Sequence, residues 1–598
     1  MEQKTRQQMD RAAQWDLSAI FPNRALWEEK LSLAQEEVKA LEALPGKLGA
    51  SAQALRDVLD EIYRVTQQVE LLYLYAMLRK CEDNGDPESQ EMEGKAVRLY
   101  TELSERTAFL DPEILSLPED TLATVRRDPL LAGYAHILDC IARGKSHTLD
   151  AAGERLLAML GDVAGTPRTA FDMLESVDMK FPSIHNEKGE EVPLTHGNYG
   201  MYLESSCGEV RREAYETYFG AFRNYLNTWA ALYAGSVKQD VFFARARHYG
   251  SARECALADS HISTTVYDGL IDAVHDGLPS LHRYLDLRKK ALGCEEIHMY
   301  DLYCPMVPQD EGRVTYDEAK EMVFRATEPL GERYRSLLTR AFAERWIDIY
   351  ENAGKTTGAF SCGVYGVHPY ILLNYTDTLE DAFTLAHELG HAMHSCFSSE
   401  AQDFANHDYK IFVAEVASTV NEVLLTMSLL RSETDRRRRA YLLNHFLEGF
   451  RLTVFRQTLF AEFERDSHAA YENGEALTAQ TFNQIYRRLN EQYYQGVVVD
   501  ALHDIEWARI PHFYNAFYVY QYATGFCSAV AIANQILESG KADEYLRFLS
   551  LGGSQDPLEE LKVAGVDLTT PEPIHRAMEV FDRTVTELEE LLAAGFEG

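Results

Sequence analysis

The sequence has no C-x-x-C pair, no long apolar run and no excess of basic residues. Its nine cysteines are scattered from Cys81 to Cys527, which is typical of a reduced intracellular protein. No window approaches the roughly 18 uninterrupted apolar residues of a membrane-spanning helix. The first residues, MEQKTRQQMDRAAQWDLSAIF, lack the apolar stretch of a signal peptide. We therefore expect a soluble, cytoplasmic protein.

Acidic residues outnumber basic ones by 94 to 58, so the net charge is -36. This charge disfavours nucleic acid and membrane surfaces as partners, because both attract proteins with a basic surface. The one basic run, DRRRRA at residues 435–440, would spread its arginines around a helix and indicates a solvated face. The sequence leaves open whether the chain is a monomer or a homo-oligomer.

Helical periodicity dominates the chain, whose 598 residues exceed the usual size of one hydrophobic core. Apolar residues recur at spacings of three and four over residues 26–44 and 52–80, and in several later stretches. Residues 180–199 fit a hairpin or an extended linker, and residues 356–376 read as one or two strands. The predicted fold class is mainly α, with two lobes and a small β-sheet.

The stretch TLAHELGHAMHSCF, residues 384–397, contains three histidines and a glutamate. His387, Glu388 and His391 form an H-E-x-x-H pattern, in which the two histidines share one helix face and can bind one Zn²⁺. Glu388 can then act on a water molecule at the open position of the metal. A T-x-x-D capping pattern at residues 378–381 predicts that the helix begins just afterwards. Chance alone produces H-E-x-x-H in roughly one chain in twenty of this length, so a histidine-rich core helix is the alternative.

A zinc ion needs a third protein ligand, for which two residues compete. His394 lies on the same helix face as His387, but about 10 Å along the axis, too far to share a metal. We predict a packing or supporting role for it. Glu415, in the apolar pattern IFVAEVASTVNEVLL, is the better candidate, and Glu422 follows on the same face. Such carboxylates are costly to bury unless a cation or hydrogen-bond donors pair with them. The alternative is that both glutamates lie at an exposed edge of the helix.

These motifs resemble peptidase family M3, a family of zinc metallopeptidases, and within it the oligoendopeptidase F subfamily. The resemblance covers nearly the whole chain and implies one zinc ion per chain, with His387, His391 and Glu415 as ligands and Glu388 as general base. It is carried by WDLSAIFP near the start, LTHGNYGMYLES at 194–205, HELGHAMH, FVAEVAST, FRQTLFAEFE at 455–464 and RIPHFYNAFYVYQYATG at 509–525.

The resemblance also implies the organisation of the chain. Residues 1–190 would form an N-terminal helical lobe with the oligopeptidase-specific region, and residues 191–598 the M3-like catalytic region. A deep central channel would admit short peptides and exclude folded proteins.

An aromatic segment near the C-terminal end would supply the donor that stabilises the tetrahedral oxyanion. In the family a histidine and tyrosines from this region play that role, and Tyr520 and His512 fit it best. Tyr514 is a further substrate-binding candidate. Core packing is the alternative, since Tyr514, Tyr518 and Tyr522 stand at i, i+4 and i+8.

The glycine-containing stretch before the histidine helix has two interpretations. Gly358, Gly363 and Tyr365 can bind a substrate backbone that approaches closely, or the glycines mark bulges beside the sheet. The following HPYILLNY, residues 368–375, would form an edge strand that holds a peptide by β-augmentation.

The predicted function is zinc-dependent hydrolysis of internal bonds in short oligopeptides. A carboxypeptidase or dipeptidyl carboxypeptidase of the same family is an alternative, because the sequence does not show whether a group grips the substrate's terminal carboxylate. A helical peptide-binding protein without catalysis is a second alternative, although such a protein has no need of Glu388.

Overall fold

The computed structural model describes residues 4–307 and 312–595, which form helices and three small sheets. The prediction of a mainly α fold with little sheet is confirmed. The proposed division at residue 190 and the central channel stay predictions. The chain separates into two compact units, the first of Met1–Ser146, Gly312–Ser428 and Ile532–Val566, the second of His147–Glu311, Leu429–Ala531 and Asp567–Gly598.

The first unit is organised around long amphipathic helices. The longest, Ala52–Glu82, begins where the Ser51 side chain accepts a hydrogen bond from the Ala54 backbone N–H. Its apolar stripe is buried in a core that also contains Trp27 and Tyr370. The α-helices that begin in this unit are Arg24–Ala40, Ala52–Glu82, Pro87–Thr107, Leu110–Leu115, Glu119–Val125, Ala135–Arg143, Tyr316–Ala326, Gly331–Ala343, Leu379–Ala401, Ile411–Ser432, Asp543–Leu549 and Pro557–Val563.

A three-stranded sheet lies beside helix Leu379–Ala401 in the first unit. Tyr370–Leu372 is its central strand, parallel to Ile347–Asp348 and antiparallel to Phe360–Cys362. The expectation that HPYILLNY forms an edge strand is wrong. Its strand residues are buried, as in a strand paired on both sides, and Phe360–Cys362 is the edge strand that contacts the helix.

Helix Ile411–Ser432 is long and apolar enough to cross a membrane on length and composition alone. However, 72% of its most apolar window is buried inside the protein. Packing therefore accounts for its apolar character, as in the core helix of a globular protein.

The second unit contains the predicted hairpin. Strands Ser183–His185 and Glu191–Pro193 pair antiparallel, and Gly189 adopts a positive φ of 76° in the turn between them. Ile297–His298 pairs with Val497–Val498 in a second sheet. The α-helices that begin in this unit are Ala151–Ala164, Thr166–Met173, His196–Leu203, Gly208–Arg223, Leu226–Ala246, Ala252–Ala258, Thr264–Ala291, Arg436–Phe450, Arg456–Glu472, Ala479–Tyr493, Tyr520–Ser539 and Glu572–Ala594.

Candidate metal centre

The helix that carries the histidines, Leu379–Ala401, begins where the sequence predicts. Thr378 is its N-cap: its hydroxyl accepts from the Asp381 N–H at 3.1 Å, and its own N–H donates to the Asp381 carboxylate at 2.9 Å. This reciprocal cap fixes the start of the helix. As a result His387 and His391 lie in its regular interior, one turn apart on one face.

Three side chains of the first unit converge at this face. Nε2 of His387 and Nε2 of His391 are 3.2 Å apart, and Oε2 of Glu415 lies 3.5 and 3.6 Å from them respectively. Glu415 comes from helix Ile411–Ser432, and the hydroxyl of Ser418 donates to its Oε2 at 3.1 Å. The structure thus brings together the three residues predicted as ligands.

The triangle of donor atoms fits a tetrahedral zinc ion. With metal–ligand distances of about 2.0 Å, two ligands of a tetrahedral site stand about 3.3 Å apart. The three observed separations, 3.2, 3.5 and 3.6 Å, lie close to that value. Two imidazoles and one carboxylate also match the donor types that zinc accepts while leaving one position open.

Glu422 supports the first histidine. Its carboxylate is hydrogen-bonded to Nδ1 of His387, which leaves Nε2 directed at the other two donors. Burial disfavours the charged form of His387, but the hydrogen bond and charge of Glu422 raise its pKa to about 9. Burial and the nearby His387 lower the pKa of His391 to about 4. A metal ion binds the neutral form of both imidazoles, so metal binding opposes protonation of either ring.

Glu388 lies beside the three donor atoms and not among them. Its side chain is only 7% exposed, and burial is the main reason why its pKa rises to about 7. The charge of His387 and, to a lesser extent, the nearby backbone of Ser361 on edge strand Phe360–Cys362 lower the pKa in part. A carboxyl group whose pKa lies near neutrality is suited to accept and return a proton.

Two residues that the sequence analysis did not identify hold the ligand helices together. A Cβ on Gly390 would lie 2.6 Å from the carbonyl oxygen of Ala417 and 2.6 Å from Cα of Ser418, so only glycine allows this approach. Asn421 donates from its side-chain amide to the Ala386 carbonyl at 3.0 Å. Its position in an otherwise apolar helix, just before Glu422, is the signal that could have identified it.

We expect Gly390→Ala to separate the two ligand helices and to weaken metal binding. The backbone atoms that the new methyl group meets cannot rotate away, so overpacking should cost about 1–3 kcal/mol of stability. Displacement of Glu415 should lower zinc affinity about 10- to 100-fold, by analogy with the loss of supporting contacts at metal sites. Zinc titration with a competing chelator and thermal unfolding measure the two effects.

Gly94→Ala is the matched control. Gly94 is an exposed glycine inside helix Pro87–Thr107, and a Cβ there meets no atom within 4 Å. This substitution should raise helix stability by about 1 kcal/mol and leave zinc affinity unchanged. Equal zinc affinity in both variants would contradict the explanation given for Gly390.

His394 does not join the donor atoms. It is 1% exposed, and its ring stacks on Tyr409 with centroids 3.6 Å apart and planes at 6°. Burial lowers its pKa to about 3, so the ring is neutral. This arrangement agrees with the packing role that the helix rise predicts.

The glycine-containing stretch is explained largely by packing and turn geometry. A Cβ on Gly363 would lie 2.8 Å from Cβ of Ser395 on the histidine helix. Gly358 has a positive φ of 80° and therefore marks a turn that favours glycine. Tyr365 contacts the rings of Phe404 and His407. Substrate binding by Gly358, Gly363 and Tyr365 stays a prediction.

The aromatic segment belongs to the second unit and separates into buried and accessible rings. Tyr520 is 2% exposed and packs on Tyr267 with ring centroids 5.0 Å apart. His512, Tyr518 and Tyr522 form a partly exposed cluster, with centroid distances of 6.5, 6.0 and 5.5 Å. Tyr520 is therefore buried at the start of its helix, whereas His512 lies at the surface beside Tyr518 and Tyr522.

Tyr514 contacts two other rings of the second unit. Its ring centroid is 4.7 Å from that of Phe171 and 6.2 Å from that of Tyr233. Tyr514 is nevertheless partly exposed, like Tyr518 and Tyr522, so the three members of the stripe do not form a buried core. Substrate binding by Tyr514 stays a prediction.

A second group of potential ligands, His136, Cys140 and Asp556, lies elsewhere in the first unit. The Arg143 guanidinium donates to both carboxylate oxygens of Asp556, at 2.8 and 2.7 Å, and to the Cys140 sulfur at 3.1 Å. A fixed positive charge that already satisfies these atoms opposes a cation there. This group is therefore an ion-pair cluster.

Comparison with known proteins agrees with the geometry of the site. The sequence profile of Peptidase family M3 matches residues 201–580, and that of Oligopeptidase F matches residues 113–181. Oligopeptidase PepF of Bacillus subtilis (strain 168) is 44% identical over 582 residues, which cover 97% of this chain and 87% of that protein.

Solved structures give the same result. Oligoendopeptidase-F from Enterococcus faecium aligns with a TM-score of 0.74 and 37% identity, covering 96% of this chain and 99% of that one. A structure from Chlamydophila abortus aligns with a TM-score of 0.93 and 34% identity, covering 99% of this chain and 100% of that one.

Proposed function

The chain belongs to peptidase family M3, and from this premise we propose that it is a metalloendopeptidase that hydrolyses internal bonds of short oligopeptides with one zinc ion per chain. The observation that carries the proposal is the triangle of His387, His391 and Glu415, whose donor atoms are 3.2, 3.5 and 3.6 Å apart. The names of the relatives, Oligopeptidase PepF and oligoendopeptidase-F, support the substrate class.

In this proposal each side chain has a distinct task. When bound, zinc supplies a Lewis acid that lowers the pKa of water and polarises the scissile carbonyl. Glu388 takes the proton from the attacking water and passes it to the leaving amine. Glu422 keeps Nε2 of His387 directed at the centre.

We propose that the aromatic segment, residues 509–525, supplies a hydrogen-bond donor for the oxyanion. The tyrosine side chains of this segment differ in solvent exposure: Tyr518 and Tyr522 are partly exposed, whereas Tyr520 is buried. A donor must reach the oxygen on which charge develops. We therefore favour Tyr518 and Tyr522, with His512 beside them, over the Tyr520 that the sequence resemblance suggests.

Cleavage of one peptide in four forms tests the position of the scissile bond. The forms carry free ends, an acetylated N-terminus, an amidated C-terminus, or both blocks. We expect the same internal cuts in all four forms. Rates should stay within about fivefold, because an exposed terminal charge contributes about 0–1 kcal/mol. Mass spectrometry of the products locates each cut, and a series of peptide lengths defines the size limit.

The same experiment separates the alternatives. Loss of cleavage on amidation alone would identify a carboxypeptidase or dipeptidyl carboxypeptidase. No cleavage of any peptide by zinc-loaded protein would favour a peptide-binding protein. A chelator should abolish all cuts and added zinc should restore them, and a folded protein should remain intact as the control for substrate size.

We also propose that the protein works in the cytoplasm. None of its nine cysteines is paired, in agreement with a reducing compartment. Detection of activity in a membrane-free cytosolic fraction and its absence from the culture medium test this location.

A further inference from the structure

Glu464 is a buried carboxyl group of the second unit that pairs with no cationic side chain among the described residues. It lies in helix Arg456–Glu472 and is 0% exposed. Two other buried glutamates of the unit are compensated: Glu462 pairs with Arg465 at 3.0 Å, and Glu506 pairs with Arg456 at 2.7 Å. Burial raises the pKa of Glu464 well above its ordinary value. Such a group is costly to bury, so its presence in the core needs a structural explanation.

The contact that Glu464 makes is with the backbone of the aromatic segment. Its Oε1 accepts a hydrogen bond from the Phe517 N–H at 3.0 Å, whereas its Oε2 has no hydrogen-bond partner within the described residues. Phe517 lies 53 positions further along the chain. The carboxyl group therefore ties the middle of one helix to a single amide of the loop before Tyr520–Ser539.

Phe517 has an unusual backbone conformation. Its φ is 57°, in the left-handed region, which bulky residues rarely adopt. The residue is 3% exposed, and its ring packs on His468 with centroids 4.6 Å apart. Strained residues persist where the surroundings hold them, and here the ring contact and the Glu464 hydrogen bond hold Phe517.

This turn determines where the next side chain points. Tyr518 follows Phe517 directly, and its ring centroid lies 5.5 Å from Tyr522 and 6.5 Å from His512. If Phe517 relaxed to the ordinary helical or extended region, the chain would leave the turn in another direction and the cluster of His512, Tyr518 and Tyr522 would separate.

We propose that Glu464 is a positioning residue: through the Phe517 N–H it fixes the left-handed turn that places Tyr518 beside His512 and Tyr522. The inference rests on the proposed function, in which this cluster supplies the donor for the oxyanion. Glu464 itself touches neither substrate nor metal in this role.

The test compares Glu464→Leu, which removes the acceptor, with Glu464→Gln, whose amide oxygen retains it. Glu464→Leu should lower kcat for an internally quenched peptide about 10- to 100-fold, since small misplacement of a catalytic group has effects of this size. KM and zinc content should change little. Glu464→Gln should keep kcat within about threefold of the parent, because the hydrogen bond is preserved.

Glu464→Leu combined with Phe517→Gly provides a rescue that a merely structural role would not give. Glycine adopts a positive φ without strain, so the double variant should recover at least about fivefold in kcat over Glu464→Leu. Unchanged kcat in Glu464→Leu would overturn the inference. A folded double variant that is no more active than Glu464→Leu would overturn it as well.

A Glu388→Gln variant measured in parallel distinguishes failure of the positioning role from failure of the proposed function. If it is inactive while Glu464→Leu is as active as the parent, the proposed function stands and the positioning role is wrong. If Glu388→Gln retains full activity, the proposed function itself fails.

Discussion

Replacing Glu388 by glutamine should lower kcat for peptide hydrolysis about 10²- to 10⁴-fold, the usual contribution of a general base. The amide has nearly the same shape but cannot accept the proton of the attacking water. Glu388 is also not among the donor atoms that converge on one another, so zinc content should stay at one per chain. Steady-state kinetics on a short peptide and metal analysis of the same sample measure both quantities.

Glu400→Gln is the matched control on the same helix. Glu400 is exposed and pairs with Arg333 at the surface at 2.8 Å, an interaction worth at most about 1 kcal/mol. Its activity should equal that of the parent. A Glu388→Gln variant that cleaves as fast as Glu400→Gln would exclude the general-base role, and one that lost its zinc would show a structural role instead.

Local rules in the sequence predict the histidine helix well. The Thr378–Asp381 capping box requires only residues three positions apart, and it places the start of the helix at Leu379 in the structure as in the prediction. The spacing of His387 and His391 then defines one face without any tertiary information. The long N-terminal helices follow from apolar periodicity for the same reason.

Tertiary contacts explain what the sequence alone could not decide. The pattern HPYILLNY identifies a strand, but whether that strand is central or at the edge depends on Ile347–Asp348, which pairs with it from the other side. Likewise, the sequence resemblance favours Tyr520 as the donor and does not show that its ring is buried while that of Tyr518 is partly exposed. The left-handed turn at Phe517 and the start of the helix at Tyr520 determine which ring is buried.

The same limit applies to the metal centre. Glu415 is predicted from the cost of burying a carboxylate in an apolar helix. This prediction needs only the residue and its own helix. The requirement for glycine at position 390 depends on the backbone of Ala417 and Ser418, which approaches only after both helices have packed. Sequence patterns therefore identify ligands more readily than the residues that allow the ligands to meet.

His391→Ala should remove zinc and activity together. Loss of one of three protein ligands leaves too few donors for a stable site, and affinity should fall on the order of 10³-fold or more. When the free zinc concentration is nanomolar or lower, metal analysis of His391→Ala after gel filtration should find a small fraction of one zinc per chain. Its peptide cleavage should be at background. Thermal unfolding with and without zinc should show that only the parent is stabilised by the metal, since binding to the native state alone raises stability.

His394→Phe is the discriminating comparison, because it removes the third histidine of the same helix. The ring of His394 is buried and stacks on Tyr409, and its centroid lies 5.4 Å from that of Phe548. Phenylalanine preserves this stacking and cannot bind a metal. We therefore expect full zinc content and kcat within about threefold of the parent, because a substitution that keeps the buried volume is tolerated. Loss of zinc in His394→Phe comparable to that in His391→Ala would mean that His394 contributes to the centre, and the assignment of Glu415 as third ligand would then have to be abandoned.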